Sequence, residues 1–197
     1  MEIPKEQAVS VKFTKADKYF NSYWIGQLLQ QFEDIRDETY FLYHIETGLR
    51  VSDVVASEWV HVDWSNKRTY TYDHKKDAWR WIYWPDHIKA KLKRWRLYQQ
   101  RTNQKTRLVF PMSEKTANRI IKRAAYKAGH PYWKLTSSHW CRHTFIRLSQ
   151  AQGRSMVAVQ QNTGDKLGTI LKWYSMLDQE GMQREIGAGL TNVKEEY

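Results

Sequence analysis

Residues 139 to 153 read HWCRHTFIRLSQAQG, which places two histidines and an arginine within five positions of a chain that carries a single cysteine, Cys141. Ser137 or Ser138 stands where a helix would be capped, and Gly153 stands where it would end. On such a helix His139 and His143 share a face at i and i+4, as the metal-binding histidines of HExxH proteases do. The glutamate of that motif is absent here, no third ligand follows at a suitable spacing, and Arg142 would repel a metal ion. The reading is therefore against a metal. His139 and Arg142 lie at i and i+3, so their side chains lean to the same side of one turn, an arrangement suited to an anion.

The rest of the chain supports an anionic partner. Thirty-two Lys and Arg against 21 Asp and Glu leave a formal charge of +11 over 197 residues, which favours nucleic acid or an anionic surface. Ten Trp, twelve Tyr and six Phe are interleaved with that charge; most are read as core, with base stacking as the alternative use. No apolar run approaches a membrane span, and MEIPKEQAVS lacks the apolar centre of a signal peptide, so a soluble intracellular protein is expected. One cysteine excludes an internal disulfide and a thiolate zinc cluster.

Outward from the opening stretch the pattern is mostly helical. DIRDETYFLYHIETG (34–48) has apolar residues at helical recurrence, with Gly48 where a left-handed cap would fall. VSDVVASEW suggests a second short helix. KRTYTYD and AWRWIYWP alternate apolar and polar residues around HKKD and read as a hairpin. EKTANRIIKRAAYKAG separates Ala117, Ile120, Ala124 and Ala128 from Arg119, Lys122, Arg123 and Lys127, and Gly129 closes it. That basic row is read equally as a solvated face or as a surface for DNA phosphates. Ser155 begins a helix ending near Gly164, and Thr169 a last one containing TILKWYSML. The fold class is mainly α with a small antiparallel β-sheet (α+β).

HWCRHTFIRLSQAQG, the eleven residues from Gly153 to Gly164 and the nine from Asp165 to Tyr174 together resemble the C-terminal signature of the tyrosine recombinases, the phage integrase family. In that family HxxR opens a helix, and the nucleophilic tyrosine lies nine residues beyond the histidine of a Gly-His pair. TGLRVSDVVASEW resembles the family's upstream arginine box, and HKKDAWRWIYWPDHI resembles its lysine-bearing hairpin. The resemblance runs from about Thr14 to Leu177. It implies catalytic roles for Arg50, Arg142, His139, Lys75 and Tyr174, a supporting role for Asp53, and Lys76 as the substitute should Lys75 not be the lysine. The family usually has His, occasionally Trp, where this chain has Asp165, which is counted among the catalytic positions. A carboxylate beside a phosphodiester raises the cost of negative charge there unless it is turned away or hydrogen-bonded to a donor such as a histidine, with Lys166 as a candidate to take its space.

The resemblance further implies a site-specific recombinase that cuts and rejoins double-stranded DNA through a 3′-phosphotyrosyl intermediate, with no cofactor. A DNA-binding module of reduced activity and a type IB topoisomerase-like enzyme are the competing readings. An unperturbed tyrosine of pKa about 10 is phenolate in roughly one molecule per thousand at pH 7, so two guanidiniums or a base must favour its ionised form. Residues 1–18 are expected to be an arm or linker end, 19–177 the catalytic domain, and 178–197 a tail suited to subunit exchange. The family's pattern implies a homotetramer on DNA, with an isolated domain as a monomer, no membrane, and a cytoplasmic prokaryotic or viral setting. Most members carry an N-terminal helical domain that completes a clamp around DNA, and against that pattern the sequence is expected to be an isolated catalytic domain.

Overall fold

The computed structural model describes residues 18–73 and 76–174, with side chains described through Leu171. Phe20, fully buried, anchors the start: its amide donates to Thr144 Oγ1 at 2.8 Å. α1 (Ser22–Leu29) follows, capped by the Asn21 side chain on the Trp24 amide, a helix the sequence reading left unassigned. α2 (Ile35–Thr47) begins on the Asp34 carboxylate, which accepts from the Arg36 amide at 2.7 Å. It stops at Gly48, where φ is +64°. That left-handed cap is the one expected, and the site tolerates no side chain for a second reason, because a Cβ there would strike the Phe145 ring. Tyr40, Phe41, Leu42, Tyr43 and Ile45 of α2 are all buried, as are the polar Thr39, His44 and Thr47, so this helix is covered nearly all round and forms the axis of the core.

α3 (Val51–Val55) starts directly after Arg50, and a 3₁₀ turn at Trp59–His61 leads into the sheet. The expected hairpin is present as β2 (Arg68–Asp73) and β3 (Ala78–Tyr83), and β1 (Val62–Asp63) extends it to a three-stranded antiparallel sheet of order β1-β2-β3. Alternation gives the sheet two unlike faces. Thr69, Thr71, Asp73 and Ile82 are buried. On the opposite face Tyr70 pairs with Trp81 and Tyr72 with Trp79 across the strands, and Tyr70 stacks on Trp79 at 5.0 Å between centroids. The Arg68 guanidinium lies 3.9 Å from the Trp81 ring.

α4 (Asp86–Arg101) buries Ile88, Leu92 and Trp95 against α2, and α5 (Glu114–Lys127) buries Ala117, Ile120, Ile121, Ala124 and Ala125 beneath its basic row. A 3₁₀ turn at Trp133–Leu135 leads to α6 (Ser138–Ala151), then α7 (Met156–Thr163) and α8 (Leu167–Tyr174). The last helix starts at Leu167, one half-turn before the Thr169 read from the sequence. Two apolar clusters result. The larger holds α2, α4, α5 and Ile82 with Trp140 of α6; the smaller joins Phe145, Ile146, Val159 and Ile170, so that α7 and α8 rest on the far side of α6. Asn162 fastens the seam between them: its Nδ2 donates to the Thr47 carbonyl at 2.9 Å and its Oδ1 accepts from the Tyr83 amide at 2.8 Å.

Candidate active site

Where α2, β2, β3, α6 and α7 meet, three arginines and three aspartates are gathered. Arg50 is the residue preceding α3, and its position is fixed from behind by a relay of hydrogen bonds. His44 Nε2 lies 2.9 Å from the Leu49 carbonyl, an atom that only accepts, so Nε2 carries the proton and Nδ1 accepts from Tyr40 Oη at 3.1 Å. Tyr40 Oη then accepts from Ser138 Oγ at 2.9 Å, at the first turn of α6. His44 is fully buried, and desolvation pushes its pKa down to about 3, so it is neutral throughout the physiological range.

Arg142 projects from α6 with a side chain only 4% exposed. Its Nη1 donates to the Gly48 carbonyl at 2.6 Å and its Nη2 to the Thr163 carbonyl at 2.9 Å, the ends of α2 and α7 respectively. Both carbonyls lie at helix C-termini, where the backbone carries partial negative charge. Arg142 Nη2 also meets Asp165 Oδ2 at 2.6 Å, while Arg50 Nη2 meets Asp165 Oδ1 at 3.3 Å. Asp165 is therefore neither turned away nor bonded to a histidine, as the sequence suggested; it bridges the two guanidiniums, and Lys166 is exposed rather than filling its place. Burial pulls the Arg142 pKa down from its usual value, and the Asp165 charge opposes that pull.

Two further residues complete the cluster. Asp73, at the end of β2 and fully buried, accepts from Arg50 Nη1 at 3.1 Å and lies 3.3 Å from Arg80 Nε. Arg80, on β3, donates to the carbonyls of Gln161, Asn162 and Thr163 at 3.0, 2.6 and 3.1 Å, so it closes the C-terminus of α7. Gly164 caps α7 at φ +73°, and a Cβ there would run into the Asp73 carboxylate and the Arg80 guanidinium. Neither Asp73 nor Arg80 was read from the sequence.

The remaining candidates are placed as follows. Asp53 is 1% exposed in α3; Ser52 Oγ donates to its Oδ1 at 3.2 Å, and among the described residues its Oδ2 has no hydrogen-bond partner. Desolvation raises its pKa, against the pull of Arg50. His139 is exposed on the first turn of α6, packed edge to face on His143 at 4.4 Å, and desolvation followed by the Arg142 charge lowers its pKa. His143 is buried and its pKa is pushed down to about 3, first by desolvation and then by His139 and Arg142. Among the described residues no group of three or more His, Cys, Asp or Glu side chains is arranged to hold a metal ion, and no helix is long and apolar enough to cross a membrane.

The model of the phage integrase family matches residues 19–180. The chain belongs to the phage integrase family. Among solved structures, the integrase-family chain is similar to XerA recombinase (TM-score 0.73, 19% identity, 86% of this chain and 64% of that one). It is also similar to XerH site-specific recombinase bound to its difH substrate before cleavage (0.70, 19%, 92% and 56%) and to a lambda integrase dimer bound to a core site (0.61, 17%, 75% and 57%). The chain thus spans less than two thirds of the length of each. No curated protein matches it. The fold is that of the tyrosine recombinase catalytic domain.

In this integrase-family fold Tyr174 is the last described residue of α8, four positions beyond the buried Ile170; its side chain lies outside the described residues. Lys75 also lies outside them, whereas Lys76 is exposed in the β2–β3 turn with its amide donating to the Asp73 carbonyl at 3.0 Å. The basic row of α5 divides. Lys127 bonds Glu33 at 2.7 Å and Arg123 bonds Asp37 at 3.2 Å, around the N-terminus of α2. That end lies about 20 Å along the helix from Gly48, given 1.5 Å per residue. Arg119 and Lys122 are exposed and have no acidic partner among the described residues.

Proposed function

We propose that this chain is the catalytic domain of a site-specific DNA recombinase that cleaves and rejoins double-stranded DNA through a covalent 3′-phosphotyrosyl intermediate at Tyr174. The observation that carries the reading is the convergence of Arg50 and Arg142, from segments remote in sequence, on the two oxygens of one carboxylate. Paired planar forks that hold a carboxylate in this way also suit the non-bridging oxygens of a phosphodiester. Tyr174 Oη attacks phosphorus, its proton passing to a base; the bond to the 5′ oxygen breaks, and Lys75, or Lys76 in its stead, supplies the proton that oxygen takes. Religation reverses these steps with a 5′ hydroxyl as nucleophile, so the phosphotyrosyl bond conserves the energy of the phosphodiester.

His139 is assigned to a phosphate oxygen or to the tyrosine proton. Its lowered pKa keeps a neutral, proton-accepting form available near pH 7. Asp53 supports Arg50, and the α5 row, chiefly Arg119 and Lys122, contacts the DNA backbone. We assign residues 19–177 to the catalytic domain, 1–18 to an arm and 178–197 to a tail exchanged between subunits of a DNA-bound homotetramer acting in the cytoplasm. No cofactor takes part.

Asp165 supports a second reading, a DNA-binding module that kept the fold and lost turnover, because its carboxylate already engages both arginines. A pool of nicked suicide duplexes with randomised inverted repeats separates the two. The enzyme forms a denaturant-stable DNA adduct and Tyr174→Phe does not, while still binding. Retention of the duplexes without any adduct in the parent protein establishes the module instead, and an adduct with Tyr174→Phe removes the nucleophile assignment.

A further inference from the structure

The arginine pair is already satisfied by the protein itself. Arg142 has one Nη on the Gly48 carbonyl and the other shared between the Thr163 carbonyl and Asp165, with 4% of its side chain exposed. Arg50 has one Nη on Asp73 and the other on Asp165. Of the N–H groups these contacts use, those that the two arginines point at a common acceptor are the ones that meet Asp165, whose side chain is 16% exposed. A phosphoryl oxygen reaches Arg142 Nη2 only by taking the carboxylate's place. Arg50, Arg80 and Arg142 are moreover already faced by the carboxylates of Asp73 and Asp165, so an added phosphodiester brings further negative charge into a partly desolvated cluster unless one carboxylate leaves.

We propose that Asp165 is an internal competitor for the phosphate seat, which must be displaced before a phosphodiester can engage Arg50 and Arg142, and which thereby closes the seat to free anions. Asp73 is fully buried at the end of its strand, and Arg80 is held by three carbonyls at the end of α7, so neither is free to leave. Asp165 sits in the short connection between the Gly164 cap of α7 and α8, its amide donating to Thr163 Oγ1 at 3.3 Å, and the next carbonyl, that of Lys166, already accepts from Thr169 and Ile170 of α8. Displacement therefore acts on the connection that leads to Tyr174. A free phosphate competes alone against a carboxylate tethered a few ångströms away. A phosphate within DNA arrives with its neighbours bound along the duplex, and this tethering raises its effective concentration at the seat.

The inference rests on the two-arginine seat assigned under the proposed function, and its test uses inorganic phosphate rather than DNA. Phosphate is titrated into the purified full chain at constant ionic strength, with binding followed by calorimetry and by the melting temperature. Asp165→Asn binds phosphate with an apparent affinity higher by on the order of tenfold or more than the parent, the advantage a tethered group holds over a free one. Adding Arg142→Ala removes the gain. Equal affinities overturn the proposal, and weaker binding by Asp165→Asn overturns it in favour of a carboxylate that orients the arginines. Asp165→Ala repeats the titration if the amide variant lacks a cooperative melt. In the parent protein, amide exchange over residues 164–171 rises as phosphate saturates; unchanged exchange at saturation also overturns the proposal. A gain in phosphate affinity without DNA trapping fails the proposed function alone, and trapping without that gain fails only the role of Asp165.

Discussion

Arg142 and Arg123 carry the same guanidinium in opposite settings. Arg142 is held by two backbone carbonyls and a carboxylate with 4% of its side chain exposed; Arg123 is 63% exposed and reaches one oxygen of Asp37 at 3.2 Å. The first has its orientation set by backbone carbonyls before any ligand arrives, so that once Asp165 has given way the guanidinium itself needs little reorganisation when charge develops on a phosphate. The second belongs to a surface row whose energy is shared with water and counterions. Buried cations of this kind govern chemistry, and exposed ones govern encounter and affinity.

The sharpest challenge to that contrast is truncation. Arg142→Ala is expected to lower the rate of DNA cleavage on the order of a thousandfold and to destabilise the fold by about 3 kcal/mol, because the Gly48 carbonyl loses its side-chain donor and Asp165 is left with the longer contact to Arg50 alone. Arg123→Ala is expected to cost less than about 1 kcal/mol and to leave the cleavage step unchanged. Single-turnover trapping and urea unfolding read both, and comparable losses in the two variants would erase the distinction.

A milder probe is pH. His44 and His143 have folded-state pKa values of about 3 against an ordinary value near 6.5. Above that ordinary value both states are neutral and nothing is lost. As pH falls below it, the unfolded chain takes up protons that the native state refuses, and stability declines towards the folded pKa. At pH 5 the loss is about 2 kcal/mol for each histidine. Urea unfolding at pH 7 and pH 5 measures it; equal stability would show that these rings are not held neutral.

The smallest effect belongs to the exposed row. Arg119→Ala and Lys122→Ala should each weaken DNA binding modestly and reduce the log-log salt slope by about 0.9. An unaltered slope would remove that residue from the DNA surface, leaving it a solvated face.

Much of this organisation is legible in the sequence, because its clues are local. Gly48 and Gly164 mark helix ends by a backbone conformation that other residues avoid, and the distance from His139 to Tyr174 is set by helices and short turns in between. Arg80 and Asp73 were not legible. Which face a strand residue takes depends on register, and a slip of one position would send Arg80 to the side where Trp79 and Trp81 lie. The third partner of that cluster, the C-terminus of α7, is remote in sequence, and no spacing rule reaches it. α4 was missed for a different reason: Ile88, Leu92 and Trp95 form a buried helical stripe, yet Lys89, Lys91, Lys93, Arg94 and Arg96 between them keep the segment's average polar. Asp165 was recognised as a problem for the chemistry from its residue type alone, but only its distances identify its partners as the two arginines rather than a histidine.

The interleaved rings of Tyr70, Tyr72, Trp79 and Trp81 give the β2–β3 hairpin an optical signature of its own. Electronic transitions of indole and phenol groups at centroid spacings of 4.7 to 5.5 Å couple to one another, and the paired circular dichroism bands they produce depend on both strands staying in register. Lys75 and Lys76 lie between those strands in the sequence, so the native chain reports spectroscopically, without an added label, on the strands that flank its candidate proton donors.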